Sequence, residues 1–85
     1  MQIDFKKKFC KDYAKSPEEI RSSFRKRLSL FRENKYDKLL NNHQLSGDSS
    51  FLRSINVTGD WRALFVDDNG SIVFVALDKH SNLYK

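Results

Sequence analysis

Between positions 51 and 77 three apolar runs follow one another, FLRSINV (51–57), WRALFV (61–66) and SIVFVAL (71–77), separated only by TGD (58–60) and DDNG (67–70). Short runs rich in β-branched and aromatic residues, bounded by turn formers, read as strands. Asn69-Gly70 is a tight-hairpin signal, because both central residues of such a turn need positive φ. Gly59 offers the same freedom to the first turn. Connections this short force successive strands to be antiparallel neighbours. A three-stranded meander is therefore expected. Alternation places Phe51, Ile55 and Val57 on one side of its first strand, with Arg53 an exception among them. Such a sheet cannot bury its apolar face alone.

The first half of the chain supplies the cover. Phe5, Phe9 and Tyr13 recur every four residues with lysines between them, which is a helical stripe. SPEE (16–19) then separates two helices: Ser16 suits a cap, Pro17 the first helical position, and Glu19 completes a Ser-x-x-Glu box. Behind it Ile20, Phe24, Leu28 and Phe31 share a face, while Arg21, Arg25 and Arg32 fall away from its centre. IDF (3–5) reads as a short first strand. KYDKLLNNHQLSGDSS (35–50) reads as a long loop with a helical turn at Leu39–Leu40. The expected order is β-α-α-β-β-β, an α+β fold with two N-terminal helices packed on an antiparallel sheet. The 85 residues are enough for a single domain and too few for two.

Composition narrows the setting. No stretch is apolar enough to cross a bilayer, and MQIDFKKKFC has no signal-peptide core. With Cys10 the only cysteine, no internal disulfide can form, so a reducing cytoplasm is expected, with Cys10 a small packing residue. The net charge of +5 is uneven: residues 1–36 hold 11 Lys/Arg and 5 Asp/Glu, the remainder 5 and 6. A basic half suits a polyanion or an acidic partner, and it equally suits a solvated helix surface.

Polar residues gather at the strand ends. His43 precedes the meander, Asn56 and Asp60 flank the first turn, Arg62 opens the middle strand, and His80 and Tyr84 follow the last. In a meander the third strand runs parallel to the first, so the first turn and the end of the third strand lie at the same edge. Asn56, Asp60, Trp61, Arg62, His80 and Tyr84 are expected to converge there. That set suits metal-free cleavage of RNA, which needs a base for the ribose 2′-OH, a cation for the phosphate and an acid for the leaving 5′-oxygen. Histidine is the natural acid near neutral pH, arginine offers phosphate a rigid fork, and aromatic rings stack on unpaired bases. Structural readings compete for each residue: Trp61 as core, Asp60 as the fixer of its turn, Arg62 as partner of Asp60 or Asp78, His43 as the organiser of the loop, Tyr84 as an apolar anchor. Two distant histidines and no cysteine pair give no zinc spacing, and there is no Gly-rich phosphate loop.

LLNNHQLSG (39–47), RSINVTGDWRALF (53–65) and FVALDKHSNLYK (74–85), in this order and at these distances, resemble the RelE/ParE toxin superfamily. The nearest branch is the YafQ-like, plasmid-stabilisation toxins of bacterial type II toxin–antitoxin systems. DFKKKFCKDYAKSPEEIRSSFRKRLSLF is similar to that family's opening strand and helix pair, so the likeness runs over nearly the whole chain. It implies a ribosome-dependent mRNA endonuclease acting in the ribosomal A site without a cofactor, and a monomeric toxin held in a hetero-oligomer by a cognate antitoxin. Position by position, His80 matches the C-terminal catalytic histidine as general acid. His43 matches the loop histidine and Asp60 the acidic residue before the aromatic, either serving the base step. Arg62 matches a phosphate-binding arginine, and Tyr84 the terminal aromatic that stacks on or orients the substrate. Asn56, Trp61 and Lys79, with Lys6, Lys7, Lys8 and Lys11 of the basic half, are the expected RNA contacts. The chain departs from the YafQ pattern at Asn56 (histidine there), Ala76 (arginine there) and Asp78-Lys79 (commonly Gly-Thr). The alternative is a non-enzymatic module, either a ParE-like gyrase inhibitor or an inactive relic that binds its antitoxin.

Overall fold

The computed structural model describes residues 1–83. In chain order it contains β1 (Gln2–Phe5), α1 (Lys7–Lys15), α2 (Glu18–Glu33), β2 (His43–Gln44), β3 (Arg53–Asn56), β4 (Trp61–Asp68), β5 (Ser71–Lys79) and α3 (His80–Leu83). The α+β class and the element order match the expectation, with a two-residue strand and a terminal helical turn added. The five-stranded sheet runs β1-β5-β4-β3-β2. The meander is antiparallel, but β1 pairs parallel to β5, from Gln2 opposite Ser71 to Phe5 opposite Phe74. The sheet is thus mixed rather than antiparallel. No tight turn dictates the direction of β1; it is set by the helix pair, which carries the chain back over one sheet face.

That face holds the core. Phe74 is fully buried, and rings of Phe5, Phe9, Phe24, Phe31 and Phe65 surround it at centroid separations of 5.3 to 5.7 Å. These separations lie in the range where aromatic pairs attract beyond simple burial. Phe9 comes from α1, Phe24 and Phe31 from α2, and Phe65 from β4, so a single residue of β5 ties both helices to the sheet. Ile55, Ala63, Ile72 and Leu77 complete the same cluster.

A bulge shapes β5. Leu64 faces Ala76 while Phe65 faces Phe74, leaving Val75 as the extra residue. Beyond Phe74, β1 has already departed into α1, and the edge of β5 needs another partner. Asp12 of α1 supplies it: although only 5% exposed, its carboxylate accepts the Leu77 N–H at 3.1 Å and the Lys8 ammonium at 2.7 Å. A buried carboxylate is tolerable because it is both paired and hydrogen-bonded.

Several local expectations are corrected. Phe51 lies outside β3 and is 66% exposed, because the strand begins only at Arg53; Ile55 and Val57 are buried as expected. Arg53 turns to the long loop, its Nε donating to Asn42 Oδ1 at 2.8 Å. Gly59 does not adopt positive φ, whereas Asn69 and Gly70 do, at 53° and 88°. Pro17, not Ser16, is the N-cap of α2, and it has no side-chain cap bond. Ser16 instead closes α1, its hydroxyl donating to the Tyr13 carbonyl at 2.7 Å. Cys10 is exposed at an apolar cavity of about 280 Å³ between the helices, so it does not pack in the core.

The loop after α2 is pinned rather than slack. Lys35 Nζ lies 2.7 Å from Asp67 Oδ2, and Asp67 Oδ1 accepts the Gly70 N–H at 2.9 Å. Burial raises the Asp67 pKa; the Lys35 ammonium and the Gly70 amide outweigh it and hold the carboxyl below its ordinary value. Asn42 donates to the Lys35 carbonyl at 2.9 Å and accepts from Arg53. A 3-10 turn at Lys38–Leu40 buries Leu40. This chain of bonds delivers His43 to the edge of the sheet. Among the described residues, no helix is long and apolar enough to cross a membrane.

Candidate active site

Side chains alternate across a sheet, so residues between the core positions point away from the helices. Ile55, Ala63, Phe65 and Leu77 belong to the core, which leaves Ser54, Asn56, Arg62, Leu64, Ala76 and Asp78 on the opposite face. They form two cross-strand rows. One runs His43, Ser54, Leu64, Ala76 and the other Asn56, Arg62, Asp78. The rows are two residues apart along each strand, roughly 7 Å.

The second row is where the β3–β4 turn meets the end of β5. Trp61 pairs with Lys79 and Arg62 with Asp78, and the His80 amide donates to the Asp60 carbonyl at 2.7 Å. Asp60, Arg62, Asp78 and His80 are therefore brought together, with His80 and Asp60 exposed to solvent. The turn is rigid for identifiable reasons. Thr58 Oγ1 accepts the N–H groups of Asp60 and Trp61 at 3.3 and 3.1 Å. Arg62 Nη1 donates to the carbonyls of Thr58, Gly59 and Trp61 at 2.9, 3.2 and 3.1 Å. No ion pair joins Arg62 to Asp60 or Asp78 among the described residues. Held through Nη1, the guanidinium keeps a fixed orientation, and its other N–H groups make no described bond.

Asp78 organises α3. Its Oδ1 accepts the Lys79 amide at 2.7 Å and Asn82 Nδ2 at 3.0 Å. Burial raises its pKa, but these two hydrogen bonds, with Lys15 and Lys8 of α1 nearby, leave it lowered overall. Asp78 thus ties down the helical turn that begins at His80.

His43 stands elsewhere on the same face. It lies in β2, three strands from β5, about 14 Å in backbone terms. Its Nδ1 is 2.8 Å from the Asn41 carbonyl. A carbonyl can only accept, so the neutral ring carries its proton on Nδ1 and leaves the Nε2 lone pair available. Between His43 and α3 runs a groove of about 540 Å³, walled by Leu45, Ser46, Ser49, Leu64 and Leu83.

The remaining expected contacts divide. Asn56 is half-buried and its Oδ1 has no hydrogen-bond partner among the described residues. Trp61 packs partly buried against the core, as its structural reading anticipated. Lys6, Lys7, Lys8, Lys11 and Lys79 are exposed, with the Lys8 ammonium occupied by Asp12. Tyr84 lies outside the described residues. Sequence reasoning missed Ser54, which sits fully buried in the first row with an unpartnered hydroxyl, and it missed Asp12. The alternation of β3 carries a signal for Ser54; nothing local carries one for Asp12. Among the described residues, no three His, Cys, Asp or Glu side chains are grouped to hold a metal ion.

No protein-family model and no curated protein matches the chain. Solved structures do. Escherichia coli YafQ is 16% identical over 99% of this chain and 98% of its own, with a TM-score of 0.82. YafQ in the E. coli DinJ–YafQ toxin–antitoxin complex is 17% identical over 99% and 97%, with a TM-score of 0.81. The RelB–RelE antitoxin–toxin complex of Methanococcus jannaschii gives 18% identity over 94% and 93%, with a TM-score of 0.75. With two helices on one face of a mixed five-stranded sheet and a polar opposite face, the chain has the fold of the RelE/YafQ-like toxins.

Proposed function

We propose that residues 1–85 form a single toxin domain of a type II toxin–antitoxin system, acting as a metal-free, cofactor-free mRNA endoribonuclease on the ribosome. The observation that carries this reading is the meeting of Arg62 with the start of α3, through the Arg62–Asp78 pairing and the His80–Asp60 hydrogen bond. A cation in fixed orientation beside an exposed histidine is the pair that phosphate cleavage requires.

In this reading a single-stranded message lies along the open sheet face. The N–H groups of Arg62 not bound to the turn hold the scissile phosphate. The Asp60 carboxylate or His43 Nε2 takes the single proton of the 2′-OH, and the Asn56 side chain orients the ribose. The 2′-oxygen bonds to phosphorus, the bond to the 5′-oxygen breaks, and His80 in its protonated form donates a proton to that oxygen. The products are a 2′,3′-cyclic phosphate and a 5′-hydroxyl. Asp60 stands beside His80, whereas His43 lies about 14 Å from β5 across the sheet, so Asp60 is the nearer acceptor. Tyr84 stacks on a neighbouring base, while Trp61, on the core side of β4, supports the turn that carries Arg62.

Lys6, Lys7, Lys8, Lys11 and Lys79 contribute the charge that docks the protein on ribosomal RNA. An acidic, cognate antitoxin covering the same basic helices would block that docking. Solved relatives in complex with their antitoxins support such a partner. The toxin is a cytoplasmic monomer apart from this hetero-oligomer.

The test is to induce the chain alone and map mRNA 5′ ends. New 5′-hydroxyl ends in translated messages are expected, together with arrested growth. Intact messages with normal translation would reject the nuclease. Trapped gyrase cleavage complexes beside intact messages would establish a ParE-like activity instead, a reading for which the shared fold of an Agrobacterium tumefaciens YoeB/ParE toxin allows.

A further inference from the structure

We propose that the groove between β2 and α3 is a nucleobase subsite, holding one unpaired base of the RNA whose phosphate lies at Arg62. The inference rests on the nuclease reading and adds to it a place for the base. Three observations carry it.

The first is size and lining. About 540 Å³ accommodates a single base with its sugar, within the range usual for small-ligand sites. Leu45, Leu52, Leu64 and Leu83 give apolar surface to cover a ring face, while Ser46 and Ser49 stand among them with hydroxyls for its edge. Flat apolar walls with a few polar groups are what a base requires, since every base has a π-face and a hydrogen-bonding rim.

The second is position. The groove is floored by Leu64 of the first row, and Arg62 lies two residues earlier on β4, in the second row. Their separation of roughly 7 Å is comparable with the reach from a nucleotide's phosphate to its base. His43 lines the groove as well, so a base seated there brings its ribose past the imidazole.

The third is an unmet hydrogen bond. Ser54 stands between His43 and Leu64 in the same cross-strand row, fully buried, and its hydroxyl has no partner among the described residues. A buried hydroxyl with no partner carries a desolvation cost that a ligand's polar edge would relieve. Ser54 does not itself line the groove, so contact with it requires the groove wall beside His43 and Leu64 to yield.

The test uses the full chain with leucine methyl groups labelled for NMR, and adenosine 5′-monophosphate and ribose 5-phosphate as probes. Adenosine 5′-monophosphate is expected to move the methyl signals of Leu45, Leu52, Leu64 and Leu83, and ribose 5-phosphate to leave them in place. Ser46→Trp fills the groove from an exposed rim position that makes no cap bond, and should weaken the nucleotide about tenfold, the worth of one stacked base. Ser54→Ala should weaken it about threefold, one hydrogen bond's worth, while raising the thermal midpoint of the free protein. Equal methyl shifts from both probes, or undiminished nucleotide affinity in both variants, would overturn the subsite. Methyl shifts that persist in a protein unable to cut any message would sink the nuclease reading and leave the base site standing.

Discussion

The backbone amide of His80 donates to the carbonyl of Asp60 at 2.7 Å, so the first residue of α3 is fastened to the β3–β4 turn by main-chain atoms. That one attachment does not run through the imidazole. His80→Ala should lower message cleavage by about 10²- to 10⁴-fold, the usual contribution of a positioned general acid. The main-chain hydrogen bond to Asp60 should survive the substitution, so the variant should remain folded. Single-turnover cleavage on programmed ribosomes and a melting curve check both halves.

Arg62 acts through geometry as much as charge. Its Nη1 is shared among three carbonyls of one turn, which a lysine ammonium at the end of a flexible stem cannot reproduce with the same fork. Arg62→Lys should thus resemble Arg62→Ala, each losing about 10²-fold or more in cleavage, as for removal of a donor to developing charge. Full activity in the lysine variant would show that net charge alone is needed.

Asp12 substitutes for a missing strand. Where β1 ends, its carboxylate takes the N–H of Leu77 in the buried interior. Asp12→Ala leaves that N–H without an acceptor and should destabilise the protein by about 1–3 kcal/mol. Hydrogen exchange at the Leu77 amide should accelerate by more than the loss of global stability explains. Uniform acceleration across β5 would mean that Asp12 acts only through overall packing.

The Lys35–Asp67 pair gives the fold an acid-sensitive component. The Asp67 carboxyl is held below its ordinary value, because the Lys35 ammonium and the Gly70 amide outweigh burial. A depressed folded-state pKa contributes stability that is complete above the unfolded value, near about pH 4, and is lost as pH falls through the folded value. Asp67→Asn should therefore flatten the stability profile below about pH 4 and reduce stability near neutrality. Denaturant titrations at several pH values would reveal an unchanged acid slope if other carboxylates dominate.

The legible parts of this protein were those with local causes. Asn69-Gly70 set a hairpin, the spacing of Phe9 and Tyr13 marked α1 while Phe5 of the same stripe fell in β1, and Ile20, Phe24 and Phe31 marked the buried face of α2. Turn chemistry and side-chain period act between neighbours, so they can be read residue by residue. The closeness of the first turn to the end of β5 was also legible, because a meander makes alternate strands parallel. Less accessible were the parallel seat of β1, the exposure of Phe51 and Cys10, and the closure of α1 by Ser16. Each depends on where a distant segment comes to rest.

Chain order and residue pattern by themselves determined a helix pair laid on a meander, and placed Arg62 and His80 at one end of it. Only the tertiary structure decided that Asp12 completes the edge of β5, that Asp78 secures α3, and that Ser54 lies under a groove with its hydroxyl unmet. The physical reason is range. Helical period and turn geometry are properties of a few successive residues, whereas the satisfaction of a buried polar atom depends on every element that packs around it.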